Sequence, residues 1–150
     1  MKKILFALAL GAAVVARAVP GYAVDEPFSF YGLQFGMARA EVAQHFKLDG
    51  NLVKEPGHGL SDIELVFDRE EQLMEIRASW PRPEDPFELQ GLQRAIRERF
   101  VAPISARYPA IAAAIDEYGN RAAVRLVLLS TAIRERNIDY HKSRFLKLLQ

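Results

Sequence analysis

The sequence predicts an α+β fold, a two-layer sandwich in which an antiparallel sheet of about four strands carries its helices on one face. Two observations lead to this class. Two neighbouring segments alternate apolar and polar residues, as the strands of a half-buried hairpin do. The order of a helix followed by a hairpin also occurs twice along the chain. Two such units are expected to join their hairpins into one sheet, and packing on helices makes so small a sheet stable.

The first hairpin has the clearest pattern. Ile63, Leu65 and Phe67 alternate with more polar neighbours. After a turn at residues 68–71, the same alternation returns in the second strand, with apolar residues at Met74, Ile76, Ala78 and Trp80. Prolines at positions 81, 83 and 86 are expected to stop the sheet, because proline has no N–H to donate to a strand ladder.

Two helices are predicted beside this hairpin. The first covers about residues 37–46 and ends at a turn over residues 49–51. The second begins at Asp85, an acidic N-cap followed by Pro86 in the first helical position and by Glu88 as the partner of a capping box. Its apolar stripe extends to Phe100. Residues 28–36, before the first helix, predict an edge strand or an extended arm.

The remaining elements are predicted from weaker signals. Pro103 and Pro109 are expected to interrupt the second helix. An alanine-rich third helix is predicted over residues 110–118, ended by Gly119-Asn120. Two strands are then predicted over residues 122–131 and 137–142, around a charged turn at residues 134–136. Ser143 is predicted to cap a short terminal helix that carries the apolar residues Phe145, Leu148 and Leu149.

Residues 1–23 predict a cleavable signal peptide, which leaves residues 24–150 as a single α+β domain. Lys2 and Lys3 precede an apolar stretch of about 12 residues, shorter than the roughly 20 that a membrane-spanning helix needs. Cleavage is expected after Ala23, with Ala18 as the alternative site. We therefore expect a protein exported to the periplasm or secreted, with no transmembrane segment after cleavage.

Composition narrows the possible chemistry. The chain has no cysteine, which excludes disulfides, a thiolate metal site, a cysteine nucleophile and the lipid anchor of a bacterial lipoprotein. Residues 24–90 hold 14 acidic and 6 basic side chains, whereas residues 91–150 hold 5 acidic and 11 basic ones. Either the charges of the two halves face each other in the fold, or a basic surface meets an anionic partner.

One local motif resembles a known group of proteins. Gly32-Leu33, then Phe35-Gly36-Met37, then Glu41-Val42 resemble the opening of small exported proteins with a duplicated helix-hairpin fold. These include the beta-lactamase inhibitor protein-like and SmpA/OmlA-like families, the latter being a small subunit of the outer-membrane assembly machinery. The resemblance implies a periplasmic protein of the bacterial envelope that binds other proteins or envelope components and has no catalytic centre.

Candidate catalytic and metal-binding residues are sparse. His45, His58 and His141 are widely separated, so no metal site and no cofactor are predicted. The glycine-rich loop around His58 is the best enzyme candidate, although an ordinary turn is the simpler interpretation. Asp62, Glu64 and Asp68 have the spacing of one strand face; a solvated sheet face explains them better than a cation site. No catalytic residue is predicted.

Five residues are predicted to contact a partner. Trp80, the single tryptophan, lies at a strand end and is either an exposed anchor or the end of the core. Arg94 and Arg97 on the second helix form either a basic patch for phosphate groups or a solvated helix face. Tyr31 and His58 complete the set as residues of the N-terminal aromatic segment and the glycine-rich loop.

The functional hypothesis is a non-enzymatic periplasmic accessory or protein-binding module of the cell envelope. A first alternative is an inhibitor of an exported enzyme, which predicts a protruding loop at about residues 54–60. A second is a small ligand-binding protein or hydrolase centred on the His58 loop. Nucleic acid is not expected as a partner of an exported protein, and the sequence leaves the oligomeric state open.

Overall fold

The computed structural model describes residues 27–116 and 122–150. The predicted signal peptide with its cleavage site at Ala23, and the helix end predicted at Gly119-Asn120, lie outside the described residues. The chain divides into two compact units, Met1–Gln34 and Phe35–Gln150, and each is described by itself.

In the first unit, the described residues form a tight turn. Phe30 and Leu33 exchange two backbone hydrogen bonds, each 2.9 Å long. Between them Tyr31 and Gly32 have positive φ angles of 50° and 91°, the backbone signature of a tight hairpin turn. The Ser29 hydroxyl accepts a further bond of 3.2 Å from the Gly32 N–H. The described residues of this unit thus form no strand, although an edge strand was one prediction for residues 28–36.

The second unit contains six strands and four α-helices in its described part. The helices are α1 (Arg39–His45), α2 (Pro86–Ile96), α3 (Ala102–Arg107) and α4 (Thr131–Leu148), and a π-helical turn over Arg97–Val101 joins α2 to α3. The strands are β1 (Leu48–Asp49), β2 (Leu52–Val53), β3 (Asp62–Phe67), β4 (Leu73–Pro81), β5 (Ile111–Asp116) and β6 (Ala123–Ser130).

All six strands form one antiparallel sheet in the order β1-β2-β3-β4-β6-β5. The α+β class and the β3–β4 hairpin are therefore confirmed. The hairpins β3–β4 and β5–β6 are joined through the pairing of β4 with β6. The prediction of about four strands was too low, because β1 and β2 are only two residues long and flank the predicted turn. Gly50 closes this turn with a φ of +60°.

The strand register creates a buried face across the centre of the sheet. Ile63, Ala78 and Leu126 lie opposite one another on β3, β4 and β6, and all three are buried. The next row, two residues along each strand, is equally apolar and buried: Leu65, Ile76 and Leu128. Because facing residues of an antiparallel sheet share a face, these rows form the core that the alternation on β3 and β4 predicted.

The turn between β3 and β4 is held by one carboxylate. Asp68 Oδ1 accepts hydrogen bonds from the backbone N–H groups of Glu70 and Gln72, each 2.9 Å long. Glu71 takes the left-handed conformation, with a φ of 61°. A side-chain oxygen that binds the backbone two residues on is a common way for aspartate to start a turn. The turn predicted at residues 68–71 is confirmed.

The helix after β4 begins where the sequence predicted and continues past the predicted interruption. Asp85 Oδ1 accepts from the N–H groups of Phe87 at 2.7 Å and Glu88 at 3.4 Å. Pro103 does not end the helix, since α3 extends to Arg107. Just before Pro103 the chain makes a π-turn, in which the Ala102 N–H donates to the Arg97 carbonyl five residues earlier. The wider turn accommodates a proline that would clash with an α-helical carbonyl.

Two predicted elements were wrong. Residues 111–116 of the predicted alanine-rich helix form β5, which pairs with β6 along its whole length. Ile111 and Ile115 stand four residues apart, a spacing that fits one helical turn and also one face of a strand. The strand predicted over residues 137–142 lies inside α4, and Ser143 is an interior helical residue whose hydroxyl donates to the Asp139 carbonyl.

Candidate functional site

The structure brings two of the predicted contact residues together at one end of β4. Trp80 Nε1–H donates to the His58 carbonyl oxygen, 3.4 Å away. The Trp80 ring also lies 5.9 Å from the ring of Phe100 in the π-turn, centroid to centroid. Trp80 shares the sheet face of Ala78 and is partly exposed. It therefore closes the end of the core, which is one of its two predicted roles, and keeps part of its surface in solvent.

The loop that contains His58 has a constrained backbone. Gly57, His58 and Gly59 have positive φ angles of 71°, 56° and 73°. Such a run is easy for glycine and costly for a residue with a side chain. Leu60, which follows directly, is buried, and the Trp80 bond holds the loop at His58 itself. The predicted glycine turn is thus an ordered loop anchored on the strand end.

The other predicted contact residues lie elsewhere. Arg94 is on α2 and Arg97 in the π-turn, and both are exposed. Tyr31 belongs to the first unit, where its ring contacts that of Phe30 edge to face at a centroid distance of 4.7 Å. The five residues predicted to contact a partner therefore belong to the N-terminal turn, the His58 loop, the end of β4, α2 and the π-turn.

Two of the carboxylates considered for a cation site, Glu64 and Asp68, are paired with arginines or with the backbone. Glu64 approaches Arg77 at 3.6 Å and Arg125 at 4.0 Å, while Arg77 also contacts Glu75. Arg125 Nε donates to the Ser79 hydroxyl, 3.2 Å away. Asp68 accepts two backbone hydrogen bonds in the turn before β4. Within the described ranges, no three His, Asp or Glu side chains form a cluster suited to a metal ion. Glu64, Glu75, Arg77 and Arg125 form a charged face of the sheet, whereas Asp68 lies outside β3.

A different surface emerges at α4, the longest helix of the described chain. Its first half is attached to the second unit at several points. The Ser130 hydroxyl caps it by accepting from the Ile133 N–H at 3.4 Å, and the Ile133 side chain is buried. Seven residues after Ile133 along the helix, the ring of Tyr140 contacts Arg69, whose guanidinium lies 3.8 Å from the ring centroid. The helix is therefore fixed as far as Tyr140.

Beyond this attachment, α4 presents apolar side chains to solvent. Every residue from 138 to 150 is exposed. We call residues 138–149 the distal segment. Apart from Tyr140 at 39%, the large apolar side chains of this segment have exposed fractions of 49% to 80%: Ile138 49%, Phe145 60%, Leu146 52%, Leu148 78% and Leu149 80%. Large apolar residues of the described chain are exposed at only a few other positions, among them Phe87 and Leu52. The distal segment is the main exposed apolar surface of the described residues.

Charge distinguishes the distal segment as well. Lys142, Arg144 and Lys147 lie on it, and no acidic residue occurs from residue 140 to residue 150. The polar and apolar sides of α4 are poorly separated over the whole helix, since its first half carries charges all round. In the distal segment the apolar residues gather on one side. The segment thus combines exposed apolar surface with positive charge.

Sequence reasoning missed this surface because it divided α4 into a strand and a short helix. The signal was present in Ser130, whose hydroxyl caps the helix one residue before it starts. Treating residues 131–148 as one helix would have shown that Ile138, Phe145 and Leu149 share a side. From the sequence, only a short terminal helix with Phe145, Leu148 and Leu149 was predicted, and no contact was predicted for these residues.

In comparisons with known proteins, no family model, no curated protein and no solved structure matches the chain. None of the helices in the described residues combines the length and the apolar character needed to cross a bilayer.

Proposed function

We propose that this protein is a non-enzymatic binding module of the cell envelope that is exported to the periplasm and docks through the distal segment of α4. One observation carries the proposal. Of the nine large apolar side chains exposed in the described residues, five lie on the outward side of α4 between positions 138 and 149, and a sixth, Tyr140, lies on its attached side. A concentration of exposed apolar surface on one helix end is typical of an interaction site, because leaving it in water is unfavourable.

The position of the distal segment supports this role. The first half of α4 is anchored by Ile133 and by the contact of Arg69 with Tyr140. The distal segment continues the same helix outward, so its apolar side chains lie where a partner can reach them.

The sequence supports the export and envelope parts of the proposal. The charged start, short apolar core and small residues near Ala23 have the layout of a secretory signal peptide. The Gly-Met and Glu-Val motif resembles exported binding proteins with two helix-hairpin units. The pairing of β4 with β6, which joins two hairpins edge to edge, supports a two-layer arrangement of such units within the proposal.

The test is retention by an envelope preparation. Protein expressed from the full 150-residue sequence is mixed with a crude envelope fraction and sedimented. We expect the unmodified protein to sediment and the double variant Phe145→Glu, Leu149→Glu to lose most of its retention, about tenfold or more, because two charges enter the apolar surface.

Phe87→Glu is the matched control, since Phe87 is 83% exposed at the start of α2, away from the distal segment. It introduces one glutamate at an exposed phenylalanine outside the distal segment and is expected to sediment like the unmodified protein. All variants share one N-terminus, so differences among them report on α4. Equal retention of the double variant and the control would contradict the proposal.

A further inference from the structure

We infer that the distal segment binds the surface of an anionic phospholipid bilayer, lying along the interface between headgroups and acyl chains. The inference rests on the proposed function and names the envelope component that the distal segment contacts. It depends on three features of residues 138–149: where the apolar side chains lie around the helix, which charges accompany them, and where one lysine sits among them.

The apolar side chains face away from the rest of the second unit. With 3.6 residues per turn, Ile138, Phe145 and Leu149 fall on one line along α4, and Leu146 and Leu148 widen it to roughly 160° of the circumference. Ile133 and Tyr140, which attach the helix, lie on the opposite side. A broad apolar side turned outward from a helix that is anchored on its other side is suited to a flat surface.

The charges of the segment favour an anionic surface. Lys142 lies within the apolar sector and Arg144 just beyond its edge, while Lys147 lies on the opposite side; with Asp139 as the one acidic residue, residues 138–149 carry three basic and one acidic side chain. Each basic side chain close to an anionic leaflet is attracted to it, and the attraction weakens with salt. Apolar contact and electrostatic attraction together are the usual basis of interfacial helix binding.

The position of Lys142 favours a bilayer over a groove on a protein. Lys142 lies inside the apolar sector, four residues after Ile138 and three before Phe145. In a protein groove its ammonium group would lose its water and need a buried acidic partner. At a bilayer its methylene stem can lie along the acyl chains while the ammonium reaches the phosphate layer. An aliphatic residue at this position would be expected if the helix filled a groove.

The test is sedimentation of the full chain with synthetic vesicles. One set contains phosphatidylcholine alone and the other contains about one quarter phosphatidylglycerol, which adds negative charge. We expect the unmodified protein and the Phe87→Glu control to sediment with the anionic vesicles and to stay in solution with the neutral ones. Phe145→Glu with Leu149→Glu is expected to weaken the anionic-vesicle binding about tenfold or more.

Charge is tested separately by Lys142→Gln with Arg144→Gln, which keeps the apolar side chains. We expect this variant to bind anionic vesicles severalfold more weakly, and the unmodified protein to lose binding as NaCl rises from about 50 to about 500 mM. Circular dichroism is expected to be the same for all variants, because every substituted side chain is exposed. No binding of the unmodified protein to anionic vesicles, or equal binding to neutral ones, would overturn the inference.

Different experimental results would contradict the proposed envelope-binding function and the lipid inference. If the protein sediments with crude envelopes through Phe145 and Leu149 but ignores anionic vesicles, the distal segment binds a protein, so the proposed function stands and the lipid inference is wrong. If the double variant sediments as well as the unmodified protein in both assays, neither proposal holds.

Discussion

Two leucines on neighbouring strands show how one residue type serves different purposes in this sheet. Leu65 on β3 is fully buried beside Ile76 in the core row, whereas Leu52 on β2 is 40% exposed on the opposite face. Leu52 pairs with Glu64 and Leu65 follows that residue directly, so their side chains leave the sheet in opposite directions. Their contributions to stability should differ accordingly.

We expect Leu65→Ala to lower the free energy of unfolding by about 2–5 kcal/mol, because it removes buried methyl groups and leaves a cavity. Leu52→Ala is the control with the same chemical change and should alter the free energy by about 0.5 kcal/mol or less. Urea unfolding followed by circular dichroism measures both. Similar losses for the two variants would contradict the assigned faces of β2 and β3.

The backbone conformation around His58 was predicted only in part from the sequence. Gly57 and Gly59 indicate a turn, and the structure has one. That His58 also adopts a positive φ of 56° was not indicated, since the conformation is uncommon for residues other than glycine. It is imposed by contacts distant in sequence, the burial of Leu60 and the bond from Trp80. Those contacts exist only once β4 is in place.

At the scale of elements, segments with a single consistent pattern were predicted well. The β3–β4 alternation and the Asp85-Pro86 helix start each have one simple interpretation, and both are confirmed. The alanine-rich segment was misassigned because helix propensity favours alanine, while pairing with β6 made residues 111–116 a strand. Residues 137–142 alternate locally, yet the helix started by Ser130 runs through them.

Two isoleucines on α4 provide a direct test of how this helix is attached. Ile133 is buried with 4% of its surface exposed, whereas Ile138 is 49% exposed. We expect Ile133→Ala to cost about 2–4 kcal/mol of stability and Ile138→Ala about 0.5 kcal/mol or less. Because both residues lie on one helix, propensity effects cancel between them. Equal costs in urea unfolding would mean that the distal segment packs on the protein and is not a free docking surface.

At the scale of the whole molecule, the uneven charge along the sequence is only partly neutralised by the fold. Glu64 from the acidic half approaches Arg125 from the basic half at 4.0 Å, at the junction between the two hairpins. The basic residues of the distal segment lie on an exposed helix end instead. Facing charges therefore occur on the sheet, whereas an anionic partner for the basic residues of the distal segment stays a prediction.

Stability should likewise be uneven across the molecule. The distal segment has no buried side chain, while β3, β4 and β6 carry the core rows. Exposed chain ends open locally with little free energy, and core strands open only with global unfolding. We expect limited trypsin digestion to cut after Lys142, Arg144 or Lys147 well before it cuts after Arg77 or Arg125.

Mass spectrometry of the early digestion products identifies these sites. Anionic vesicles added before trypsin should slow the cuts within the distal segment and leave the others unchanged, if the helix end lies on the bilayer. Early cleavage after Arg77 or Arg125 would contradict the assignment of β4 and β6 to the stable centre.

The π-turn before Pro103 also sets the rotational phase of the helical segment. Ile96 and Ile104 are both buried, on either side of Arg97–Val101. In an unbroken α-helix, eight residues would rotate the second side chain by roughly 80° relative to the first. The wider turn takes up about one extra residue, which cancels most of this rotation. Deleting one residue here would therefore restore a regular α-helix with Ile104 still in phase with Ile96, so the π-turn lets the segment hold an extra residue without changing the direction of its buried side.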